Sequence, residues 1–308
     1  MKVSVCMITY NQEKYIRQAI EGVLLQQTNF DFELVIANDC SSDTTDSIIQ
    51  NLIQNHPNGF RIKYFKQSEN IGMMPNFVFA MQQCTAKYVA LCEGDDYWID
   101  PLKLKKQVDF LENNQEYVLC FHKVNILNTN NEIVDDFITK IPENYETLIT
   151  LAQLGNYIHT PSVVFRNIIK EFPFEFLKTP IGDYFLYLLL AEHGKIKHLE
   201  EIMCVYRYGV GVFSSESRIS FAKSNLNLYT CLVSYFEDEK IKKILLERQL
   251  SAVNSLEQAV KSEYKNSFVS NHLFFRTIKF LNENRKKPSL IFKKLFKKLK
   301  DSIKKEEN

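Results

Sequence analysis

The stretch that says most about the fold of this chain reads Leu91-Cys92-Glu93-Gly94-Asp95-Asp96-Tyr97-Trp98. It directly follows a short apolar run, residues 88–91, which is typical of a buried strand. Neighbouring carboxylates at the end of such a strand repel each other, and this costs stability unless another charge neutralises them. Divalent cations shared with a phosphate are usual partners for oxygen ligands of this kind. The octapeptide is therefore the first candidate for a site of chemistry; the alternative is an acidic turn that begins a helix.

Strand-like and helical patterns alternate through the first hundred residues. The strands are predicted at residues 3–8, 32–37, 60–65 and 88–92. This alternation indicates right-handed crossovers and a parallel sheet, that is, an α/β fold. Ligands of such sheets bind beyond the carboxyl ends of the strands. Four polar loops follow the four strands, at residues 9–11, 38–43, 69–72 and 93–98. We therefore expect these loops to meet at one edge of the sheet.

The rest of the chain is predicted to complete this domain and then to become helical. Further strands are expected at residues 117–127 and 202–208, and a strongly apolar helix over 184–191 begins just after Asp183. Beyond residue 217 the pattern is helical to the end. We therefore predict a catalytic domain over residues 1–216 and a helical region over 217–308.

Bulk composition excludes several classes of protein. The 308 residues carry a net charge of +1, which does not favour a nucleic-acid binder, and 45% of them are hydrophobic. Seven cysteines without pairing or metal-binding spacing indicate reduced thiols. We see neither a signal peptide nor an apolar run long enough to span a membrane. These features predict a cytoplasmic protein.

The last two dozen residues have a different character from the rest. Apolar residues recur at helical spacing over about 286–305, and lysines fill most of the remaining positions. A basic amphipathic helix of this kind suits an anionic membrane surface. We therefore expect peripheral binding to the inner face of the cytoplasmic membrane. The alternative is that the apolar stripe packs on the body of the protein.

Four sequence blocks together resemble the family 2 glycosyltransferases. The blocks are residues 3–11, 35–45, 69–72 and 93–98. Their order and spacing match across residues 1 to about 110, the match thins from 115 to 210, and it is absent beyond about 220. The resemblance implies the GT-A fold, a Rossmann-like α/β fold whose central sheet is mostly parallel and flanked by helices. It also implies an inverting enzyme that uses a nucleotide-diphospho-sugar, of a type found in bacterial surface-glycan synthesis.

The resemblance assigns the donor side of the site to the four loops. The first loop and the aspartate after the second strand would hold the nucleobase, and the acidic motif would contact the sugar nucleotide and the metal, Mn²⁺ or Mg²⁺. Which of the three carboxylates binds metal directly stays open, because Glu93 stands where the family often has aspartate. The expected donor-side residues are Thr9, Tyr10, Asn11, Asp39, Asn70, Glu93, Gly94, Asp95 and Arg207, with Asp95 and Asp96 as metal ligands.

The acceptor side is expected in the second half of the domain. An inverting transfer needs a base for the acceptor hydroxyl, and in the family a carboxylate at the start of a helix takes this role. Asp183 is the candidate, although it suits a helix N-cap equally well, and we expect the helix N-terminus to lower its pKa. Trp98, His159, Thr160 and Ser162 are expected to line the acceptor side. Arg207 is expected to contact phosphate, although the histidine that follows a Tyr-Arg pair in similar enzymes is missing here.

The expected function is transfer of one sugar from a nucleotide-diphospho-sugar, with a UDP-sugar as the expected donor, to a hydroxyl of a glycan or lipid-linked oligosaccharide in capsule or lipooligosaccharide synthesis. A homo-oligomer is compatible with the helical region. One alternative is an inactive protein of the same fold that serves as a membrane-docking scaffold. The other is a sugar-1-phosphate nucleotidyltransferase, which the first loop disfavours because residues 9–13 contain neither glycine nor clustered basic residues.

Overall fold

A computed structural model describes residues 1–211 and 217–263 of the chain. The strands are β1 (Val3–Thr9), β2 (Phe32–Asn38), β3 (Ile62–Lys66), β4 (Tyr88–Leu91), β5 (Tyr97–Trp98), β6 (Tyr117–Leu127), β7 (Ile133–Asp135), β8 (Val164–Arg166) and β9 (Lys195–Arg207). The helices are α1 (Ile16–Leu24), α2 (Thr45–Asn55), α3 (Met73–Gln83), α4 (Lys103–Asn113), α5 (Leu148–Leu154), α6 (Phe174–Lys178), α7 (Gly182–Ala191), α8 (Arg218–Tyr235) and α9 (Glu239–Glu263).

The first half of the sheet is parallel, as predicted. Its strand order is β3-β2-β1-β4, and β1 pairs with β2 in a register that sets Thr9 beside Asn38. All seven residues of β2 are buried, which is the pattern of a parallel strand covered by helices on both faces. Because these strands run in one direction, the loops after them meet at one edge. The predicted convergence of the polar loops is confirmed.

The second half of the sheet is mixed, which the sequence pattern did not indicate. The order continues β4-β8-β6-β9-β5, where β8 is antiparallel to both β4 and β6, and β7 pairs with β6. Strand β9 begins at Lys195 and not at the predicted residue 202, because its first half alternates with exposed charged residues and does not resemble a buried strand. Residues Tyr97–Trp98 form the short strand β5, antiparallel to the end of β9.

Two element boundaries differ from prediction for local reasons. The third strand begins at Ile62, because Gly59–Arg61 forms a 3-10 turn that leaves Phe60 76% exposed. The sequence pattern predicts a helix that starts at Pro101 with Asp100 as its N-cap, but helix α4 begins at Lys103. Asp100 nevertheless accepts the backbone N–H of Leu102 at 2.8 Å and organises the turn that leads into α4.

Helix α7 anchors the candidate base in the interior. Every residue of Gly182–Ala191 is buried except Asp183 in its first turn. A helix that is apolar on all sides must lie inside the protein, and each of its leucines contributes about 1.5–3 kcal/mol by burial. Asp183 is therefore carried by one of the most firmly packed elements of the chain.

The helical hairpin α8–α9 packs on the sheet domain. Leu228, Leu232, Ile241 and Leu245 of the hairpin belong to the same buried cluster as the core side of α7. The predicted boundary near residue 217 falls beside residues 212–216, which the structure does not describe, so the division into two regions stays a prediction. The basic segment 286–305 also lies outside the described residues. Within the described ranges, no helix combines the length and apolar character needed to cross a membrane.

Candidate active site

One large cavity of 1290 Å³ opens above the carboxyl ends of the parallel strands. Its walls come from the first loop, the acidic loop, the start of α3, residues 154–160, the start of α7 and the hairpin α8–α9. The cavity therefore joins the polar loops of the first half of the chain to Asp183 in the second half. The sequence-predicted site residues that line it are Thr9, Tyr10, Asn11, Asp39, Asn70, Glu93, Asp95, His159, Thr160 and Asp183.

The first loop turns sharply at Asn11. Asn11 adopts a positive φ of 52°, its side-chain carbonyl accepts the Ser42 N–H at 2.8 Å, and its own N–H donates to the Ser41 hydroxyl at 2.9 Å. These bonds hold the first and second loops together. Tyr10 is 48% exposed beside the cavity, and the buried hydroxyl of Thr9 has no hydrogen-bond partner within the described protein. A rigid loop thus presents an aromatic ring and a polar atom to a ligand.

Asp39 has a role that the sequence did not show. Its two carboxylate oxygens accept the backbone N–H groups of Ile71 and Gly72, at 2.8 and 3.0 Å. Gly72 has a φ of +90°, a conformation that favours glycine. Asp39 therefore fixes the loop that carries Asn70, which is exposed at the cavity wall. Each carboxylate oxygen keeps a second lone pair, so a further contact with a nucleobase stays compatible with these bonds.

The acidic loop gathers three carboxylates. One oxygen from each of Glu93, Asp95 and Asp96 lies within 4.8 Å of the others. Burial, and then the charges of Asp95 and Asp183, raise the pKa of Glu93 to about 8. Burial also raises the pKa of Asp95, and burial together with the two neighbouring carboxylates raises that of Asp96 well above its ordinary value. Without a neutralising cation, the carboxyl groups of this loop therefore retain protons at a higher pH than exposed carboxyl groups do.

Two of these carboxylates reach the cavity and the third lies deeper. Glu93 and Asp95 line the cavity, whereas Asp96 is 1% exposed. Asp96 Oδ1 accepts the backbone N–H of Arg207 at 2.8 Å, while its buried Oδ2 has no partner among the described residues. An orphaned, buried carboxylate oxygen beside two others fits a hard divalent cation with oxygen ligands. The residues present therefore suit Mg²⁺ or Mn²⁺.

Arg207 supports the acidic loop from below and does not line the cavity. Its guanidinium donates to the backbone carbonyl of Asp95 and to the side chain of Gln18, and it lies 5.0 Å and 4.6 Å from the ring centroids of Tyr15 and Tyr97. It is 6% exposed. This placement differs from the expected phosphate contact, because strand β9 runs directly beside β5 and turns the side chain inward. Arg207 is a positioning residue for the loop.

Gly94 also lies beneath the cavity. A Cβ atom at this position would collide with the side-chain oxygen of Gln12 and come within 3.0 Å of the Thr9 hydroxyl. Its N–H donates to the carbonyl of Ile8 at 3.2 Å. The glycine thus allows the acidic loop to pack against the first loop. Gln12 also lines the cavity and is therefore part of the site, although the sequence analysis did not single it out.

Asp183 is the centre of a small polar network. Its Oδ1 accepts the backbone N–H of Tyr184 at 2.7 Å, and its Oδ2 accepts the Asn156 amide at 3.1 Å and the Thr160 hydroxyl at 3.3 Å. Ile181, and not Asp183, is the N-cap residue of α7. Burial raises the pKa of Asp183, in opposition to these three hydrogen bonds. The expectation of a lowered pKa was wrong, because burial outweighs the helix N-terminus.

The remaining acceptor-side predictions separate into two groups. His159 lines the cavity, contacts Asp136 Oδ2 through Nε2 at 3.0 Å, and packs against the ring of Tyr206. Trp98 and Ser162 do not line it. Trp98 is 4% exposed and donates to the carbonyl of Pro161 at 2.9 Å, and Ser162 is fully buried and donates to the carbonyl of His159 at 2.6 Å. Both are structural, because β5 pairing turns Trp98 into the core.

Comparison with known proteins now decides the family. The model of the glycosyl transferase family 2 matches residues 4–172, more than half of the chain. The chain belongs to glycosyl transferase family 2. Among relatives of this family 2 chain, the uncharacterized protein Rv1520 of Mycobacterium tuberculosis is 38% identical over 205 residues, 67% of this chain and 58% of that protein. The chain therefore spans little more than half the length of that relative.

A second relative and a solved structure complete the comparison. The UDP-Glc:alpha-D-GlcNAc-diphosphoundecaprenol beta-1,3-glucosyltransferase WfgD of Escherichia coli is 28% identical over 195 residues, 63% of this chain and 71% of that protein. The mannosyltransferase PcManGT of Pyrobaculum calidifontis, solved with GDP-Man and Mn²⁺, has a TM-score of 0.62 at 16% identity, over 86% of this chain and 75% of that one. At this identity the likeness shows the fold alone, and the family 2 chain has the GT-A fold.

Proposed function

We propose that this family 2 chain is an inverting glycosyltransferase that moves a sugar from a nucleotide-diphospho-sugar to an acceptor hydroxyl. One observation carries the proposal: a single cavity is lined both by the acidic loop and by Asp183. The acidic loop suits a charged donor, and Asp183 suits removal of a proton. A single displacement needs donor and acceptor side by side, and one cavity lined by both groups supports that arrangement.

On the donor side, the chain's residues bind and orient the nucleotide. Tyr10 offers a ring for stacking on a base, and the loops joined by Asn11 and Asp39 hold that ring in place. Glu93, Asp95 and Asp96 would hold a divalent cation, which when bound offsets the charge that develops on a leaving diphosphate. Without a cation, the three carboxylates would repel the donor, so the acidic loop accounts for a metal requirement.

On the acceptor side, Asp183 removes the proton of the attacking hydroxyl at Oδ1, which keeps one lone pair beside its bond from the Tyr184 N–H. Asn156 and Thr160 donate to the other oxygen, Oδ2, and hold the carboxylate in one orientation. The raised pKa of Asp183 makes it a stronger base than an exposed aspartate, because the base strength of a carboxylate increases with the pKa of its acid. In this arrangement the acceptor hydroxyl would attack the anomeric carbon from the face opposite the leaving diphosphate, which is the geometry of inversion.

We further propose a UDP-sugar as donor and a glycan or lipid-linked oligosaccharide of a surface polysaccharide as acceptor. The printed activity of the relative WfgD, which uses UDP-Glc and a diphosphoundecaprenol-linked acceptor, supports this choice. The mannosyltransferase solved with GDP-Man makes a GDP-sugar the alternative donor. The sugar transferred is then a hexose or an N-acetylhexosamine, and the UDP-Glc in the printed name of WfgD supports a hexose.

The test is a donor panel on the purified chain. UDP-, GDP- and dTDP-sugars are added with Mn²⁺ or with a chelator, and both the shift of the unfolding midpoint and the release of nucleotide are measured. We expect one nucleotide class to shift the midpoint and to be turned over only with metal. Proton NMR of the product should show inversion at the anomeric carbon. Absence of binding and turnover for every donor would favour an inactive scaffold of the same fold.

Membrane association through residues 286–305 remains part of the proposal, on the grounds of composition. A basic amphipathic segment would hold the enzyme beside a lipid-linked acceptor. The test is flotation with anionic and neutral vesicles for the full chain and for a variant that lacks residues 286–308. Loss of binding to anionic vesicles on deletion supports the proposal, and unchanged binding contradicts it.

A further inference from the structure

The cavity extends past Asp183 to a wall formed by the hairpin α8–α9. This hairpin lies outside residues 4–172, the part matched by the family model. The cavity volume of 1290 Å³ exceeds the range of about 300–1,000 Å³ that holds one drug-sized ligand, so a second substrate has room beside the donor. The hairpin side chains that line it include Phe221, Asn225, Tyr229, Arg248, Ser251 and Ser255.

Arg248 brings an uncompensated positive charge to this wall. Its Nε and Nη2 donate to the hydroxyl of Tyr229 at 3.1 and 3.0 Å, and its Cζ lies 5.5 Å from the centroid of the same ring. Both contacts are with a neutral group. Across residues 1–211 and 217–263, no carboxylate oxygen lies within 4.0 Å of its guanidinium nitrogens. Most of its five N–H donors therefore remain available to a ligand.

Gly155 brings this guanidinium close to the candidate base. Gly155 has a φ of +87°, and a Cβ atom there would lie 2.6 Å from Arg248 Nη2. The next residue, Asn156, donates to Asp183 Oδ2 at 3.1 Å. Arg248 and Asp183 thus contact neighbouring residues of one segment. If the hydroxyl of an acceptor lies against Asp183, the rest of the acceptor lies in the same part of the cavity as Arg248.

We propose that Arg248 binds an oxyanion of the acceptor, a phosphate or a carboxylate, while the acceptor hydroxyl lies against Asp183. A planar guanidinium matches the two oxygens of such a group, and its charge strengthens the hydrogen bonds. Tyr229 orients the guanidinium without neutralising it. The inference rests on the proposed transferase function and narrows the acceptor to an anionic sugar or a diphosphate-linked sugar.

The first test measures binding of small probes to the full chain loaded with UDP and Mn²⁺. Phenyl phosphate and phenylacetate carry the two oxyanions, and benzyl alcohol is the neutral analogue. We expect at least one anion to raise the unfolding midpoint in a saturable way, with no shift from benzyl alcohol. Arg248→Gln should abolish the shift. Lys243→Gln, which removes the same charge from an exposed position of α9, should retain it.

Two further variants keep the test valid if Arg248→Gln does not fold. Arg248→Lys keeps the charge but loses the planar fork, and Tyr229→Phe keeps the guanidinium but loses the hydroxyl that orients it. Both should weaken the anion response by about tenfold while the unfolding midpoint of the probe-free protein stays near that of the wild type. Equal responses from the Arg248 variants and Lys243→Gln, or no anion response from the wild type, would overturn the inference.

The second test separates the two sources of the oxyanion and separates this inference from the function. The acceptors are an N-acetylglucosamine diphosphate with a phenoxyalkyl chain, a phenoxyalkyl glucuronide, and the neutral phenoxyalkyl N-acetylglucosaminide. Arg248→Gln should raise KM at least tenfold for the anionic acceptor that is used and leave KM for the neutral one unchanged. An equal rise for all acceptors overturns the anion site alone. A wild-type chain that neither binds nor turns over any donor overturns the function, and the inference with it.

Discussion

Arg207 donates its backbone N–H to Asp96 Oδ1 at 2.8 Å and its guanidinium to the carbonyl of Asp95, although 111 residues separate Arg207 from Asp96. The end of β9 is thereby fastened beneath the acidic loop. Three carboxylates that repel one another need such an external support to hold one geometry. The last strand of the sheet therefore determines the shape of a site that belongs to the first hundred residues.

Arg207→Lys should loosen this support. A lysine lacks the planar fork whose two nitrogens, Nη1 and Nη2, donate to Asp95 and Gln18. We therefore expect a loss of about 2 kcal/mol in the free energy of unfolding and weaker metal-dependent binding of the donor. Denaturant titration and calorimetry measure the two effects. Arg17→Lys, at an exposed position of α1, is the control. A direct phosphate contact would instead weaken donor binding and leave the unfolding free energy unchanged.

Asp183→Asn should remove the base and leave the donor site intact. We expect transfer to fall by about 10³-fold, the range for loss of general base catalysis, while the dissociation constant of the nucleotide changes less than about twofold, since the acidic loop keeps its own contacts. Single-turnover assays and calorimetry test the two halves separately. Asp31→Asn, at an exposed position, controls for loss of a carboxylate. Full activity in Asp183→Asn would assign the proton to another group.

Asn156→Ala should move the pH profile of the reaction. The Asn156 amide stabilises the ionised form of Asp183 at 3.1 Å and so lowers its pKa against the effect of burial. Without the amide, the pKa of Asp183 rises further, and the acid limb of kcat/KM should move to higher pH, with the plateau at high pH retained. Thr160→Val removes the other donor to Oδ2 and should move the limb in the same direction. An unmoved limb would mean that Asp183 does not titrate in catalysis.

The acidic loop should make the metal-free protein less stable as pH rises. The pKa of Glu93 is about 8 in the folded chain and near 4.5 when unperturbed, so the folded state retains a proton that the unfolded state releases between these values. Stability from this group is therefore complete below about pH 4.5 and is lost as pH approaches 8. Glu93→Gln should raise the unfolding midpoint at pH 7.5 by at least about 3 °C, and much less at pH 5.

This prediction is checked by thermal unfolding in the presence of a chelator. Glu143→Gln, at an exposed position, should change the midpoint equally little at both pH values. Added Mn²⁺ should reverse the order of the variants at pH 7.5, because the wild type gains a neutralising cation that Glu93→Gln binds less well. Identical unfolding midpoints for wild type and Glu93→Gln at pH 7.5 without metal would show that ionisation of Glu93 does not destabilise the folded state.

The meeting of the four polar loops was predictable from sequence because it depends on local patterns. Each buried strand is followed directly by its polar loop, and parallel strands bring those loops together wherever the exact boundaries fall. Glu93 and Asp95 line the same cavity because both follow directly after β4. Asp183 was singled out by the family resemblance, which places a carboxylate at the start of a helix in the second half of the domain.

The rest depended on pairing between distant segments. Trp98 was expected on the acceptor side. Strand β5 pairs with the end of β9, however, and this pairing turns the ring into the core. Ser162 is turned inward by the 3-10 turn Thr160–Ser162. The wall formed by α8–α9, with Arg248, had no sequence motif, because its approach to Gly155 arises from packing of the hairpin on α5. Contacts of this kind leave no periodic pattern in the sequence.

The central claim is that Glu93, Asp95 and Asp96 hold a divalent cation against the diphosphate of the donor. Crystals of the chain grown with UDP and Mn²⁺ test it directly when anomalous scattering is measured at the manganese edge. The account predicts one strong peak in contact with carboxylate oxygens of this loop and with the UDP diphosphate, with the base beside Tyr10. UDP bound in the cavity with no manganese at residues 93–96, or manganese and UDP bound at another place on the chain, would contradict it.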